Sequence, residues 1–243
     1  MVDRNSRKRF LKRILRFRPS HIPIRIQFLK RRNKRSRSRH DNVGQILPLN
    51  LPPNAHVLDI GSGQDPLPQA TLLVDRFLDE SVHRTQAFLS LGKPVVVADI
   101  MNLPFQAKHF DFVNCTHLLE HVDDPIRACQ ELMRVGKRGY IETPTFGKDS
   151  LFGWAGLVHH RWYLVGIGNT LCFFEYTNRQ LEGVRSSAWA DIIMKNRWHH
   201  PLQDAFYNNH DIFNVMFPWE DQFSVFVFSL DGSFKSNHPD LPM

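Results

Sequence analysis

Val57-Leu58-Asp59-Ile60-Gly61-Ser62-Gly63 sets one acid among three aliphatic residues and then flanks a serine with glycines. The aliphatic run suits a strand buried on both faces, as a parallel strand is between two layers of helices. Gly61 and Gly63 carry no Cβ, so the turn after that strand can be tight and its N–H groups can approach a ligand. Asp59 is the anomaly. A carboxylate in an apolar strand is costly unless paired, so it is expected to order the glycine turn or to meet a cationic group.

Downstream of this block, strand and helix signals alternate. Pro66 and Pro68 limit anything helical in residues 64–69 to a very short piece. Thr71 to Val74 read as a second strand ending in Asp75, and Phe77 to Leu91 as a helix. Pro94 to Ala98 read as a third strand ending in Asp99, and Phe110 to Asn114 as a fourth. Asp123 or Asp124 is expected to cap a helix with Pro125 in its first turn; it runs through Leu132 to about Val135, where Gly136 stops it. Arg138 to Thr143 read as a fifth strand closed by Pro144. This alternation predicts an α/β fold with an open parallel sheet. Gly61, Asp75, Asp99 and Asn114 all fall at predicted strand ends, where such sheets bind ligands, so they are expected to line one rim.

From residue 146 onward the pattern changes. Residues 151–168 mix aromatics and glycines with His159-His160-Arg161. Leu171 to Tyr176 and Phe223 to Phe228 read as the last two strands. Asn178 reads as the cap of an amphipathic helix from Arg179 to about Lys195. The remainder of residues 146–220 reads as a lid-like insertion covering an acceptor.

The formal charge of +7 hides two opposed regions: residues 1–40 hold 16 Lys/Arg and one acid, against 15 Lys/Arg and 23 acids in the rest. We therefore divide the chain into a basic arm, 1–42, and a domain, 43–243. Phe10, Leu11, Ile14 and Phe17 form one stripe of a basic helix over 7–18, and residues 30–39 form a cationic tail without periodicity. Such an arm suits an anionic membrane surface or RNA phosphates, or it is a solvated tail or an organelle transit peptide. Three dispersed cysteines without C-x-x-C spacing argue against a disulfide framework and for a reducing compartment. No apolar run is long enough for a transmembrane segment. The expected location is cytoplasmic, or peripheral at a membrane.

Taken in order, V-L-D-I-G-S-G, Asp75, A-D-I with L-P-F, F-D-F-V-N-C, H-L-L-E-H-V-D-D-P and E-L-M-R-V-G-K-R-G-Y-I-E-T-P resemble a class I S-adenosylmethionine-dependent methyltransferase over residues 55–145, of the small-molecule branch that includes quinone-biosynthesis enzymes. The resemblance implies a doubly wound, mostly parallel seven-stranded sheet ending in an antiparallel strand pair, with S-adenosyl-L-methionine as cofactor. It implies that Gly61, Ser62 and Gly63 pass the methionine part of the cofactor, with Asp59 supporting the turn or the ammonium. Asp75 takes the ribose hydroxyls, Asp99 the adenine amino group with Ile100 nearby, and Asn114 and Cys115 edge the pocket by the methyl donor. Two departures stand out: the third glycine is missing, and Asp75 follows Asp59 so closely that the intervening helix is almost deleted.

For acid–base work, His117 and His121 follow the fourth strand. Glu142, His160 and Trp162 are acceptor-site candidates, and Trp154, Tyr163, Phe173 and Phe174 hint at a lipophilic or ring-shaped acceptor. His117-Leu118-Leu119-Glu120-His121 also fits an inverted zinc-protease motif, but no third ligand is apparent and no metal is assigned. A nicotinamide dehydrogenase is disfavoured by Pro66, which stands where its third glycine is needed. The expected function is methyl transfer to a small-molecule or lipid- or glycan-linked acceptor. The alternatives are a cofactor-binding protein without turnover and an RNA-associated methyltransferase using the arm.

Overall fold

The computed structural model describes residues 51–79, 87–152, 160–185 and 210–238. The basic arm, and with it the predicted helix over 7–18, lies outside the described residues.

Val57–Ile60 (β1) pairs in parallel with Leu72–Asp75 (β2) on one side and Phe112–Thr116 (β4) on the other. Val95–Val97 (β3) extends the sheet beyond β2, and Arg138–Pro144 (β5) extends it beyond β4. Asn214–Glu220 (β8) closes it antiparallel to β5, giving the order β3-β2-β1-β4-β5-β8. The aliphatic run of β1 is explained by burial on both faces. Leu58 and Ile60 enter one core cluster with Val113 and Ile141, while Val57 joins Leu73, Phe112 and Tyr140 in another. Between β1 and β2, where Pro66 and Pro68 left room for a very short helix at most, there is none; Leu67 and Ala70 fill the second cluster in its place.

Pro125–Val135 (α1) begins at Asp124, whose carboxylate accepts the Arg127 N–H at 3.0 Å, and ends at Gly136. Its Glu131 is buried and accepts from Leu103 N at 2.7 Å and from Arg134. Burial pushes the Glu131 carboxyl up, but the Arg134 guanidinium and the Leu103 N–H outweigh it and hold the group below its ordinary value. Arg134 also donates to the Phe105 and Leu103 carbonyls, so it ties α1 to the loop after β3. Replacing Arg134 by Met is expected to cost about 2 kcal/mol by leaving a buried carboxylate and two carbonyls short of donors. A depressed carboxyl contributes stability above its unfolded value and loses it as pH falls through the folded one. In urea titrations the wild-type advantage over Arg134→Met should therefore be full at neutral pH and shrink below about pH 4.5, the ordinary glutamate value.

Several expectations need correction. The central sheet has six strands, not seven, among the described residues. Leu171 to Tyr176 and Phe223 to Phe228 do not finish it. They become Thr170–Glu175 (β7) and Ser224–Phe228 (β9) of a second sheet, with Trp162–Ile167 (β6) and Phe234–Ser236 (β10), in the order β10-β9-β7-β6. Trp162, Leu164, Leu171, Phe173, Val225 and Val227 turn inward from it into the main core. The strand that does finish the central sheet, β8, contains Pro218, and only an edge position tolerates the missing N–H.

The helix expected over 77–91 is not helical at its described ends, and residues 80–86 lie outside the described residues. Beyond β5, Phe146–Phe152 (α2) and Asn178–Arg185 (α3) are short helices, and His210–Phe213 (α4) is a single turn before β8. α3 is capped by Thr177, not Asn178: the Thr177 hydroxyl accepts from Gln180 N at 3.1 Å, and Gln180 Oε1 accepts from Thr177 N at 2.8 Å. That reciprocal pair is a capping box. The continuation to Lys195 lies outside the described residues. No disulfide links Cys115, Cys129 and Cys172. Among the described residues no helix is long and apolar enough to cross a membrane.

Candidate functional site

Three parallel strands bring the glycine turn and two acids to one rim. Gly61 (φ +68°) and Gly63 (φ +54°) both occupy the left-handed region, which glycine enters without a steric cost. Gly61 N continues the ladder by donating to Val74 O at 2.8 Å. Asp75, at the end of β2, accepts Gly63 N at 3.0 Å with one oxygen and Phe77 N at 2.9 Å with the other. Asp99, just beyond β3, accepts Met101 N at 2.9 Å and pairs with Arg76 at 3.0 Å. Arg76 is the next residue after Asp75, so the two acids share one edge beside the glycine turn. Each carboxylate oxygen has two lone pairs, so Asp99 keeps capacity to accept from a ligand.

Asp59 resolves its own anomaly. It is fully buried, and its oxygens accept Leu67 N and Asn114 Nδ2, each at 2.7 Å. One carboxylate thus pins the proline-bounded segment to β1 and β1 to β4, doing locally what a helix would have done. Asn114 gives this contact its amide nitrogen. Cys115 and Ile100 pack into the core, and Ser62 is buried beneath the turn. Gly61, Asp75 and Asp99 remain as the partly exposed rim.

The family model described as "Methyltransferase domain" matches residues 58–141, which is the stretch carrying this rim. Residues 58–141 are thus similar to a methyltransferase domain. A search of curated protein sequences finds no match to this chain. Among solved structures, the chain is similar to a protein from an antibiotic biosynthesis pathway of Anabaena variabilis, with 19% identity, 49% of this chain and 52% of that one covered, and a TM-score of 0.38. It is also similar to the PH0226 protein of Pyrococcus horikoshii, with 16% identity, 60% and 78% covered, and a TM-score of 0.38. For the YcgJ protein of Bacillus subtilis the figures are 14% identity, 81% and 93% covered, and a TM-score of 0.37. The chain thus spans about half the length of the Anabaena protein.

Beside this rim, at the end of β4, lies a polar cluster that sequence reading saw only in pieces. His117 has φ +54°, and Leu119–His121 form one 3-10 turn, so H-L-L-E-H is not the helix that a zinc-protease motif requires. The His117 ring stands between two carboxylates, with Nδ1 3.5 Å from Glu120 and Nε2 3.7 Å from Glu142. Glu142 is buried and accepts the Tyr140 hydroxyl at 2.5 Å. Burial pushes the Glu120 carboxyl up, but the His117 hydrogen bond and the charges of His121 and His160 overcome it and bring it to about 2.

His160 and Trp162 are both buried. The Trp162 indole is buried and donates to Val122 O at 2.7 Å. His160 is buried against Asp149, Nδ1 to Oδ2 at 2.8 Å, and its ring meets that of His121 edge-on at 4.8 Å. Burial draws the His160 pKa down, yet Asp149 and Glu120 more than compensate, leaving it above the ordinary value. Sequence reading missed Asp149, which also accepts the Tyr176 hydroxyl at 2.9 Å, and Lys148, which is buried and donates to Asn214 at 2.6 Å. Burial lowers the Lys148 pKa to about 8 despite the carboxylates around it. No single sequence signal marks these two. They matter because α2 folds back on β5.

One cavity lies away from the glycine rim. It measures about 680 Å³ and lies between the start of α2, β6 and β8, lined by Phe146, Tyr163, Leu164, Asn214, Val215 and Phe217 among others.

Proposed function

We propose that the protein transfers a methyl group from S-adenosyl-L-methionine to a small, largely apolar acceptor. The observation that carries this reading is the rim itself: Gly61, Gly63, Asp75 and Asp99 converge at the ends of β1, β2 and β3. Asp75 is suited to the ribose hydroxyls. Asp99, whose ion pair with Arg76 is solvent-exposed and therefore weak, is suited to an exocyclic amine. The backbone of the glycine turn faces the amino-acid part. The cofactor supplies a methyl group on a sulfonium centre, which leaves as a neutral thioether. The chain's contribution is then alignment of the acceptor and removal of its proton.

His117 is the general base in this reading, because it is partly exposed beside the rim and either carboxylate neighbour can share the proton that it accepts. His121, edge-on against His160, lies deeper in the cluster. The cavity between α2, β6 and β8 begins where β5 ends, and its aromatic lining suits a ring-shaped or lipophilic acceptor.

Isothermal titration of the full chain with S-adenosylmethionine and with its demethylated product tests the cofactor. We expect both to bind, and Asp99→Ala and Asp75→Ala each to weaken binding at least tenfold, the equivalent of about 1.4 kcal/mol. No binding by the wild type, or full affinity in both variants, defeats the reading.

A further inference from the structure

Glu120, His121 and His160 each offer one ligand atom, and these atoms all lie within 4.8 Å of one another. From this triad we propose that the polar cluster is a binding site for one divalent transition-metal ion. Nothing in the methyl-transfer reading requires it. The donor set, two imidazoles and a carboxylate, suits zinc, iron or manganese rather than calcium or magnesium.

The geometry is preorganised. Backbone Arg161 N donates to Glu120 O at 2.8 Å, which docks the start of β6 on the 3-10 turn and brings His160 to Glu120 from far along the chain. The His160 Nδ1 is held by the buried Asp149 carboxylate, which leaves Nε2 to face a metal. A carboxylate behind a ligating imidazole is the usual support of a metal-bound histidine. Glu120 Oε2 is buried and makes no hydrogen bond, an expensive arrangement for an acceptor with nothing to coordinate. Tetrahedral ligands about 2 Å from zinc stand about 3.4 Å apart, so side-chain rotation alone can close the triad. Three protein ligands leave a further position open, and His117 stands beside Glu120 with its ring partly exposed. Sequence reading found a zinc-protease spacing in His117 and His121 but no third ligand. The third ligand is His160, and His117 moves to the margin.

Use of the metal in methyl transfer rests on the function proposed above, but its binding does not. The test is calorimetric titration of the full chain, stripped with chelator, using Zn²⁺ alone, with Co²⁺ absorption as a second readout. We expect one equivalent to bind and Co²⁺ to give visible bands of tetrahedral nitrogen and oxygen ligation. Glu120→Gln and His160→Gln should each weaken Zn²⁺ at least tenfold, and Asp149→Asn by about 10- to 100-fold. S-adenosylmethionine titrated into the same samples reports whether each variant is folded. Absence of a stoichiometric Zn²⁺ site in the wild type overturns the inference, as does undiminished affinity in both ligand variants. Cofactor binding without Zn²⁺ binding removes the metal site alone. Zn²⁺ binding without cofactor binding removes the methyl-transfer reading and leaves the metal site standing.

Discussion

Asp59→Ala is expected to weaken S-adenosylmethionine binding by a hundredfold or more, although Asp59 is fully buried. Its carboxylate is the buried acceptor for Leu67 N and Asn114 Nδ2, and removing it strands two donors that no water reaches. Each stranded group costs about 1–3 kcal/mol, so an overall stability loss of about 3 kcal/mol is expected in urea titrations. The damage is directional. Leu67 lies in the segment that follows the glycine turn, and without its anchor the path from Gly61 to Asp75 loses the geometry that the cofactor needs.

Asp59→Asn separates this account from one based on charge. Asn114 Oδ1 is buried without a hydrogen-bond partner, so a rotated Asn114 amide can accept from the introduced carboxamide while Leu67 N keeps its acceptor. This variant should therefore retain most of the stability and most of the affinity. Equal, severe loss in both variants would mean that Asp59 acts through its charge on the ligand and not through the turn.

Gly139→Ala should destabilise the fold by about 3 kcal/mol. A Cβ there would stand 2.4 Å from the Val113 carbonyl and 2.6 Å from the Trp219 ring. The carbonyl belongs to β4, the direct ladder partner of β5, and cannot retreat without breaking the sheet that carries Asn114 and Glu142. The two contacts can be told apart. Shrinking Trp219 to Leu in the same chain removes the ring contact and leaves the carbonyl one, so the double variant should recover little. Urea midpoints of the single and double variants measure this; full recovery would place the whole cost on the indole.

The two sites also mark how far the residues themselves could be read. The β1 strand, the glycine turn, the acids after β2 and β3, and the Asp124 cap of α1 were all legible, because each signal acts within a few residues. Buried strands announce themselves by continuous aliphatic runs, caps by Asp before Pro, and turns by glycine. The near-loss of the helix between β1 and β2 was legible for the same reason, since Pro66 and Pro68 leave room for a very short one at most. β8 escaped notice because Pro218 argues against a strand unless its place at the sheet edge is known. The second sheet escaped because its strands look no different from those of the first. H-L-L-E-H has a spacing that suits a helix, whereas a positive φ at His117 and a single 3-10 turn point its side chains elsewhere.

The amino-acid order by itself determined the first parallel strands, the Asp124-capped helix, the left-handed glycine turn and the set of acids that end at the rim, all through short-range sterics and hydrophobic patterning. Only the tertiary structure decided what Asp59 binds, which strand finishes the central sheet, and that Glu120, His121 and His160 meet. The reason is that those contacts join segments far apart in the chain. Their energies depend on strand order and on burial, and neither is a property of any local stretch of residues.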